Sequence, residues 1–240
     1  MYYTDLHTHM LFGVDDGAKT ELDMCQMVDA SYRDGVRTLC LTPHFQPAFY
    51  GDNRAAADFA FCRLQEYAKE KYPDLSLHLA NELGYYTGCR LAVHEGECRL
   101  LGGNFLLMDF SPDATLFQIR YAMDELLSSG HRVLLSHVER YPSLNGEEDL
   151  ILDWTRRGAL LQINASAFSR RTPFGVRRRV RRLLRRAPIA AVASDCHDTL
   201  TRPPMLSEAE EIITTHYDAD MASFLLSYGP GKILKGESPM

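Results

Sequence analysis

The sequence predicts an α/β barrel, and three features of the chain indicate this fold class. Short runs of almost entirely apolar residues recur along the chain, as expected for parallel strands that are buried on both faces. A polar cluster follows each run, and a helical segment follows each cluster. This order repeats seven times, which is typical of a (β/α) barrel. The 240 residues contain no linker rich in Pro, Gly or Ser, so we predict a single domain over residues 1–240.

Seven strands are predicted from the apolar runs. The first, Met1 to Thr4, has the weakest strand signal. The other six are Thr38–Leu41, Leu75–Ala80, Phe105–Met108, Val133–Leu135, Leu160–Ile163 and Ile189–Ala193. In a parallel barrel the catalytic groups lie at the carboxyl ends of the strands. Nearly every predicted strand ends in a group that can bind metal or form hydrogen bonds, so we expect the site at this end of the barrel.

Six helices are predicted between and after the strands. The first begins near Thr20 and ends before Gly35, because Thr followed by an acidic residue three positions later favours a helix start and Gly favours a helix end. Four of the others are Ala55–Lys71, Glu147–Arg157, Val176–Arg186 and Leu206–His216. The remaining helix has Ile119, Met123, Leu126 and Leu127 on one face and ends at Gly130.

Composition argues against several classes of protein. The formal net charge of −6 disfavours a general nucleic-acid binder, so no nucleic-acid partner is expected. The six cysteines form no CxxC pair, which excludes a zinc ribbon and a thioredoxin-type motif. No apolar stretch approaches the roughly 18 residues of a membrane span, and Met1 to His9 lack the pattern of a signal peptide. We therefore expect a cytoplasmic protein that does not span a membrane.

Two pairs of potential metal ligands share one spacing. His7 and His9 are two positions apart after the first predicted strand, and Asp195 and His197 are two positions apart after the last. Side chains at positions i and i+2 of a strand point the same way, so both members of a pair can reach one ion. A single HxH pair is weak evidence by itself, because buried histidines are common in protein cores.

Further imidazoles and carboxylates follow the remaining strands. His44 and His137 come directly after apolar runs, Glu82 and Asp109 end the two middle strands, and a turn at Asp15-Asp16-Gly17 supplies another carboxylate. Mixed imidazole and carboxylate ligands suit manganese, iron or zinc, and they disfavour copper(I) or a thiolate site. The candidates, about nine, exceed the four ligands that one zinc ion takes, so two or three ions are indicated.

Eight motifs spread along the whole chain carry a family resemblance: DLHTHMLFGVDDGAKT (5–20), LTPH (41–44), NELGYYTG (81–88), LLMDFSP (106–112), SHVERY (136–141), QINASAF (162–168), ASDCHD (193–198) and KILKGE (232–237). Together they resemble the PHP superfamily of metal-dependent phosphoesterases. More closely, they resemble the bacterial manganese-dependent protein tyrosine phosphatases of capsule and exopolysaccharide gene clusters. The resemblance implies a distorted (β/α)7 TIM-like barrel of the PHP fold. It also implies a three-metal site for Mn²⁺, with Fe or Zn as alternatives.

The resemblance also assigns roles to individual residues. The family's metal ligands map onto His7, His9, Asp16, His44, Glu82, Asp109, His137, Asp195 and His197. Two family arginines near the phosphate map onto Arg140 and Arg202. The candidates for protonating the leaving group are Asp195, His197 and a metal-bound water, and the sequence does not choose between them. The chain departs from the family by having Asp109 in place of Glu, HVERY in place of HPERY and TPHF in place of TPHH. The shorter Asp109 side chain bears on the position or affinity of one metal, whereas the other two changes alter no ligand.

The resemblance implies hydrolysis of phosphate monoesters by water that the metals activate. The expected substrate is phosphotyrosine on a protein, and the expected role is regulation of capsular or exopolysaccharide synthesis. The expected partner is an autophosphorylated bacterial tyrosine kinase of polysaccharide export, while the oligomeric state stays open. One alternative is a small-molecule phosphatase of the same superfamily, of the histidinol-phosphate type. Another is a binding or regulatory module that has lost catalysis, against which the intact ligand set argues.

Two further features have both a structural and a functional interpretation. Cys196 lies between two ligands, but strand alternation points it away from them, so we expect it to pack in the core rather than to act as a nucleophile. The segment Arg170–Arg186 contains nine arginines. We expect a solvated amphipathic helix with Val180, Leu183 and Leu184 toward the core. The alternative is a docking surface for an acidic or phosphorylated partner or for anionic lipid.

Overall fold

Nine parallel strands form the centre of the molecule, for which a computed structural model describes all 240 residues. The strands are β1 (Tyr3–Asp5), β2 (Val36–Leu41), β3 (His44–Phe45), β4 (Ser76–Leu79), β5 (Glu82–Gly84), β6 (Phe105–Asp109), β7 (Arg132–Leu135), β8 (Leu160–Asn164) and β9 (Ile189–Ala193). Every pairing between these strands is parallel. Repeated strand–helix units produce this topology, because a crossover helix returns the chain to the same end of the sheet.

Two of the predicted strands are interrupted near their carboxyl ends. Strand β2 stops at Leu41 and resumes as β3 at His44, because Pro43 lacks the N–H that a strand interior needs. Strand β4 likewise resumes as β5 after a gap of two residues. Backbone hydrogen bonds cross both gaps, from Ala80 N to Leu41 O (2.9 Å) and from Glu82 N to Pro43 O (3.2 Å). The nine strands therefore amount to the seven that the sequence predicts.

The first and last strands meet and close the barrel. Thr8 and Cys196, which follow β1 and β9, form a parallel bridge. Two backbone hydrogen bonds of 2.9 Å join the same segments, from Asp195 N to His7 O and from His9 N to Cys196 O. With the interruptions counted as part of the distortion, the predicted distorted (β/α)7 barrel is confirmed.

The predicted helices all form, with ends within about two residues of the predicted ones. The helices are α1 (Glu21–Asp34), α2 (Pro47–Tyr50), α3 (Arg54–Lys71), α4 (Cys89–His94), α5 (Leu116–Ser128), α6 (Glu148–Arg156), α7 (Phe174–Arg186), α8 (Leu206–His216), α9 (Ala219–Ser223) and α10 (Gly229–Leu234). The sequence did not predict α2, α4, α9 or α10. In α1, Thr20 Oγ1 accepts a hydrogen bond from Asp23 N, and the Asp23 carboxylate accepts one from Thr20 N, so the expected capping pair is present. None of the helices combines the length and the apolar character needed to cross a bilayer.

Two apolar clusters fill the two sides of the strands. The larger contains 53 buried residues and lies between the strands and the surrounding helices. The smaller contains 13 buried residues, among them Phe105, Leu107 and Leu134, which alternate along their strands with members of the larger cluster. This alternation places the smaller cluster inside the barrel. The barrel interior is therefore packed, and the polar residues that follow the strands lie at its carboxyl end.

Candidate metal centre and active site

The structure brings all nine predicted ligands into one cluster at the carboxyl end of the barrel. Six of them end or follow strands, and His44 and Glu82 begin the resumed segments β3 and β5, because the seven strands all point their carboxyl ends to the same side. The ninth, Asp16, comes from the loop between β1 and α1. The cluster consists of His7, His9, Asp16, His44, Glu82, Asp109, His137, Asp195 and His197.

Glu82 lies at the centre of the cluster and is buried. Its Oε1 is 3.2 Å from His7 Nε2 and 3.1 Å from His137 Nε2. Its Oε2 is 3.3 Å from His9 Nε2 and 3.1 Å from His44 Nδ1. Burial alone would raise the pKa of this carboxyl, but the neighbouring imidazoles outweigh burial and hold the pKa well below its ordinary value. Glu82 is therefore an ionised carboxylate that faces four imidazole rings.

Asp195 is a second buried carboxylate in contact with two of the same rings. Its Oδ1 lies 3.6 Å from His7 Nε2 and 3.5 Å from His9 Nε2. Burial acts to raise its pKa, but the rings of His7, His137 and His9 lower it below the ordinary range. The backbone of Asp195 is left-handed, with φ of 53°, a conformation that Asp tolerates better than most residues. This turn directs the carboxylate back over the barrel mouth.

The other oxygen of Asp195 binds the two predicted arginines. Oδ2 accepts hydrogen bonds from Arg140 Nη1 at 3.0 Å, from Arg202 Nη2 at 2.6 Å and from Asn164 Nδ2 at 2.8 Å. Both guanidinium groups also line a cavity of about 130 Å³ above the cluster. The side chains are 42% and 36% exposed, so each is open to solvent on one side. The arginines are thus fixed at one end and accessible from the cavity.

The outer part of the cluster contains two further carboxylates. Asp16 is half-exposed, and its Oδ1 lies 3.3 Å from His197 Nε2 and 3.4 Å from His44 Nε2. Asp109 Oδ1 lies 3.5 Å from His137 Nε2. Burial and the nearby Glu82 carboxylate raise the pKa of Asp109 above its ordinary value. The shorter Asp109 side chain therefore still reaches the cluster.

The donor set fits a group of divalent metal ions. The ligand atoms form four overlapping groups, and within each group all atoms lie within 4.8 Å of one another. His7 Nε2 and His9 Nε2 are only 3.2 Å apart, and His44 Nδ1 makes no hydrogen bond although it lies 3.1 Å from Glu82 Oε2. Nitrogen lone pairs and ionised carboxylates are all electron donors, so they cannot compensate one another when they converge. A cation between them would bind both kinds of donor. Because residues such as Glu82 belong to two groups, the arrangement suits several neighbouring ions better than one.

Four of the five imidazoles are oriented by a hydrogen bond to Nδ1, which leaves Nε2 facing the cluster. Asp15 Oδ2 lies 2.8 Å from His9 Nδ1, and Gln162 Oε1 lies 3.2 Å from His7 Nδ1. Tyr141 OH lies 3.1 Å from Nδ1 of His137, and the Asp195 carbonyl lies 2.9 Å from Nδ1 of His197. Partners of this kind fix the tautomer and the ring plane of metal-binding histidines.

Of these supporting residues, Asp15, Gln162 and Tyr141 have no role assigned from the sequence. The sequence analysis includes Asp15 only in a turn with Asp16, and the signal for its role is the presence of two adjacent carboxylates. Burial lowers the pKa of His9, but Asp15 and Glu82 outweigh it and raise the pKa well above the ordinary value. Gln162 ends up beside His7 because it lies near the carboxyl end of β8, where the predicted strand already placed it.

The turn at Asp15-Asp16-Gly17 depends on the absence of a side chain at Gly17. A Cβ added there would lie 1.8 Å from the carbonyl oxygen of His9, far inside van der Waals contact. The same carbonyl accepts a hydrogen bond from Ala18 N at 3.2 Å. Asp15 completes the turn by accepting from Gly17 N at 2.9 Å and from His44 N at 3.0 Å. This packing places the loop of Asp16 directly against the first histidine pair.

Cys196 faces the core rather than the cluster, as predicted. It is fully buried within the larger apolar cluster. Its Sγ lies 3.5 Å from the carbonyl oxygen of Asp198, and burial raises the pKa of the thiol well above its ordinary value. A neutral buried thiol is a poor nucleophile, so this geometry does not support a cysteine mechanism.

Sequence comparison connects the chain to one family. The model for capsular polysaccharide synthesis proteins of the CpsB/CapC type matches residues 3–235. Tyrosine-protein phosphatase CpsB of Streptococcus pneumoniae is 30% identical over 236 residues, which cover 96% of this chain and 97% of that protein. Tyrosine-protein phosphatase YwqE of Bacillus subtilis strain 168 is 25% identical over 224 residues, which cover 92% of this chain and 87% of that protein.

Comparison with solved structures gives the same fold. One solved structure superposes on this chain with a TM-score of 0.87. It comes from work on YwqE of Bacillus subtilis and CpsB of Streptococcus pneumoniae, which are described as metal-dependent tyrosine phosphatases. The sequences are 23% identical, and the superposition covers 98% of this chain and 95% of the other. An organophosphorus hydrolase variant superposes with a TM-score of 0.62 at 12% identity, covering 97% and 92% of the two chains. At these identities the comparisons establish the barrel fold.

Proposed function

The chain belongs to the CpsB/CapC family of capsular polysaccharide synthesis, and on that premise we propose that it is a metal-dependent protein-tyrosine phosphatase acting in capsule synthesis. One observation carries the proposal from the structure. Nine imidazole and carboxylate ligands converge at the barrel mouth, and two arginines face the same cavity. Metal ligands beside paired guanidinium groups are the parts needed to bind and hydrolyse a phosphate monoester.

We propose that the nine residues hold Mn²⁺, and that the overlap between the ligand groups accommodates three ions. Imidazole and carboxylate ligands without thiolates suit manganese, and iron or zinc would fit the same donors. When bound, such ions make a water molecule nucleophilic near neutral pH and withdraw charge from phosphate oxygens. The protein's own contribution is to fix the ligands: Glu82 and Asp195 are ionised, and the Nδ1 contacts hold four rings with Nε2 toward the cluster.

Arg140 and Arg202 are proposed to bind the phosphate of the substrate. Each guanidinium has five N–H donors, and the structure uses only one donor of each on Asp195 Oδ2. The remaining donors are free for phosphate oxygens in the cavity. A planar guanidinium can bind two of these oxygens at once, so the pair orients the phosphorus atom and stabilises charge on the oxygens as the ester bond breaks.

Proton transfer to the leaving phenolate concerns the other two catalytic candidates. Asp195 has a pKa below its ordinary range, so it is ionised near neutral pH and better suited to accept a proton than to donate one. Burial lowers the pKa of His197, which keeps that ring neutral. Phenolate is a comparatively good leaving group, so the proposed reaction depends more on positioning and charge stabilisation than on a strong acid.

A direct assay tests the proposal. The metal-free protein would be reconstituted with Mn²⁺ and its kcat/KM measured on a phosphotyrosine peptide, on a phosphoserine peptide of the same sequence and on histidinol phosphate. We expect turnover of the phosphotyrosine peptide to exceed that of both comparisons. Preferential hydrolysis of histidinol phosphate would instead identify a small-molecule phosphatase.

The biological setting is also part of the proposal. The substrate is proposed to be an autophosphorylated bacterial tyrosine kinase of polysaccharide export, because the relatives are tyrosine-protein phosphatases and the matching family is one of capsular polysaccharide synthesis. A cytoplasmic location is proposed with it, since all six cysteines are free thiols, as is usual in a reducing compartment. Phosphoproteomics of a deletion strain would test the partner, with increased phosphotyrosine on the kinase as the expected result.

A further inference from the structure

A groove opens from the catalytic cavity toward helix α7. Its volume is about 480 Å³, and it shares Arg140, Asp195 and Arg202 with the cavity. Arg171 also lines it, so we call it the arginine groove. Pro173, Val176, Leu200 and Met205 give it an apolar part, and the hydroxyl groups of Ser166, Ser169, Thr172 and Thr201 give it hydrogen-bonding positions. A peptide that leaves the small catalytic cavity has room to continue here.

The arginine groove offers positive charge without an accessible negative one. Its two carboxylates belong to Glu139 and Asp195, and both are only 2% exposed. Glu139 accepts from Asn164 N inside the protein, and Asp195 is paired with two arginines. By contrast, Arg171 is exposed and forms no ion pair with a carboxylate of this chain. The net field in the groove therefore favours an anion.

Helix α7 carries further exposed arginines outside the groove. Phe174, Arg178, Arg181 and Arg185 are spaced three or four residues apart, so they share one face of the helix. All four are exposed, and none of these arginines forms an ion pair, whereas Arg182 on another face pairs with Glu148. Val180 and Leu183 are buried, as the sequence predicted, so the helix has its apolar face already packed. These arginines lie on a different face of the helix from Val176, the residue of α7 that lines the groove, so Arg171 is the exposed arginine that adds to its charge.

A second groove beside the cavity has the reverse character. This groove of about 600 Å³ shares Asp16, His197 and Arg202 with the cavity. It is also lined by Asp23 and Asp198, against a single lysine, Lys19. An acidic peptide would be repelled in this second groove and attracted in the arginine groove, so the charges favour one of the two grooves for such a substrate.

We propose that the arginine groove binds an acidic segment of the phosphoprotein substrate next to the phosphotyrosine, with Arg171 as its principal charge contact. This inference rests on the proposed function, since it places the phosphate of the same substrate in the catalytic cavity. A docking surface for lipid is less consistent with the structure, because the apolar face of α7 is turned into the core.

Two phosphotyrosine peptides test the proposal on the Mn²⁺-loaded full chain. They are identical except that the residues flanking the phosphotyrosine are Glu in one and Gln in the other. We expect kcat/KM to be about 3- to 10-fold higher for the Glu peptide at low ionic strength, the size expected for one or two exposed charge contacts. The preference should shrink as salt is added, because exposed charges are screened.

Variants of single arginines show which residue causes the preference for the Glu peptide. Arg171→Gln should bring the ratio of the two kcat/KM values close to one, and Arg171→Lys should restore most of it. The matched control is Arg186→Gln, which makes the same charge change on an exposed arginine at the far end of α7, about 18 Å along the helix from Phe174. This control should keep the wild-type ratio.

Each other outcome overturns the proposal in a recognisable way. Equal turnover of both peptides by the wild-type protein would reject the groove and leave the phosphatase function intact. Loss of the ratio in Arg186→Gln as well as in Arg171→Gln would assign the preference to general charge. Failure to hydrolyse either peptide would reject the proposed function itself. Binding of phosphatidylglycerol vesicles through Arg171, without a peptide preference, would identify a lipid surface instead.

Discussion

At the scale of single residues, Asp195 connects the two halves of the proposed active site. One of its oxygens faces the imidazoles of His7 and His9, and the other accepts hydrogen bonds from Arg140 and Arg202. The carboxylate therefore holds the arginines in place before a phosphate arrives. Because the two guanidinium groups are already oriented, substrate binding loses less side-chain conformational entropy.

The paired arginines lead to the first prediction. Arg140→Lys and Arg202→Lys should each lower kcat/KM on a phosphotyrosine peptide by about 10- to 150-fold, because an ammonium group cannot bind two oxygens in the plane of a guanidinium. The loss corresponds to roughly 1.5–3 kcal/mol, the range for hydrogen bonds to charged groups. Steady-state kinetics, with inorganic phosphate inhibition as a second readout, measures the effect.

The control for this prediction is Arg120→Lys, which changes an arginine that is 64% exposed on α5. Its kinetics should match those of the wild type. Elemental analysis must show that the active-site variants keep their metal. The phosphate-binding role would be contradicted if Arg140→Lys and Arg202→Lys both kept near wild-type kcat/KM, or if their loss of kcat/KM followed a loss of metal.

The second prediction concerns the thiol between two ligands. Cys196→Ser should retain most activity, whereas His7→Ala or Asp195→Ala should lose nearly all of it, because the proposed nucleophile is water and not sulfur. The serine hydroxyl can still donate to the Asp198 carbonyl, which Sγ now approaches at 3.5 Å, so stability should change by only about 1 kcal/mol. Steady-state kinetics measures the activity of each variant, and thermal melting measures its stability. Exposed Cys62 provides the control variant Cys62→Ser. A phosphocysteine adduct detected by mass spectrometry would exclude the scheme.

At the scale of secondary-structure elements, the site is made by the segments that directly follow the strands. His137 and Asp195 both have positive φ, of 29° and 53°, and each lies two residues beyond the end of its strand, β7 or β9. Such conformations cost energy in a residue other than Gly and persist where the surrounding structure enforces them. The loop after β1 has a related constraint, since Gly17 packs on the backbone of His9.

Close packing of this loop gives the third prediction. Gly17→Ala should lower metal content and reduce activity by at least about tenfold, because the new Cβ would displace the His9 backbone and the adjacent Asp16. Overpacking of this kind costs about 1–3 kcal/mol, so the melting temperature should fall by several degrees. The control is Gly175→Ala in α7, where a Cβ meets nothing within 4 Å. It should be neutral or slightly stabilising, since Ala favours a helix over Gly. Normal metal content in Gly17→Ala would show that the loop adapts.

At the scale of the whole molecule, barrel closure assembles the site. The ligands extend from His7 to His197 in the chain, and they meet because the segments after β1 and β9 pair through Thr8 and Cys196. Four carboxylates and five imidazoles are gathered in this one place. Without bound cations the carboxylates would repel one another, so metal binding should stabilise the complete fold and not only the loops.

Metal removal is the fourth prediction. Chelation with EDTA should abolish activity, and Mn²⁺ should restore it better than Mg²⁺ or Ca²⁺, which prefer purely oxygen ligands. At a metal concentration about 100 times Kd, binding contributes about 2.7 kcal/mol, which should raise the melting temperature by roughly 5–10 °C. Calorimetry and the peptide assay on the same samples measure the two effects. Full activity after dialysis, with metal loss confirmed by elemental analysis, would contradict the proposed mechanism.

The sequence by itself determined the seven strand–helix units, six of the helices and the set of nine candidate ligands. The strand–helix units and the helices depend on local signals, namely apolar runs and helix caps, whereas the complete ligand set, with Asp16 in place of Asp15, is what the resemblance of the motifs to a known family implies. Only the tertiary structure decided that β2 and β4 break before His44 and Glu82, and that Asp15, Gln162 and Tyr141 orient the imidazoles. It also decided that Arg171 faces a groove continuous with the catalytic cavity. These features require contacts between residues far apart in the chain, whose geometry is set by barrel closure and side-chain packing rather than by any local pattern.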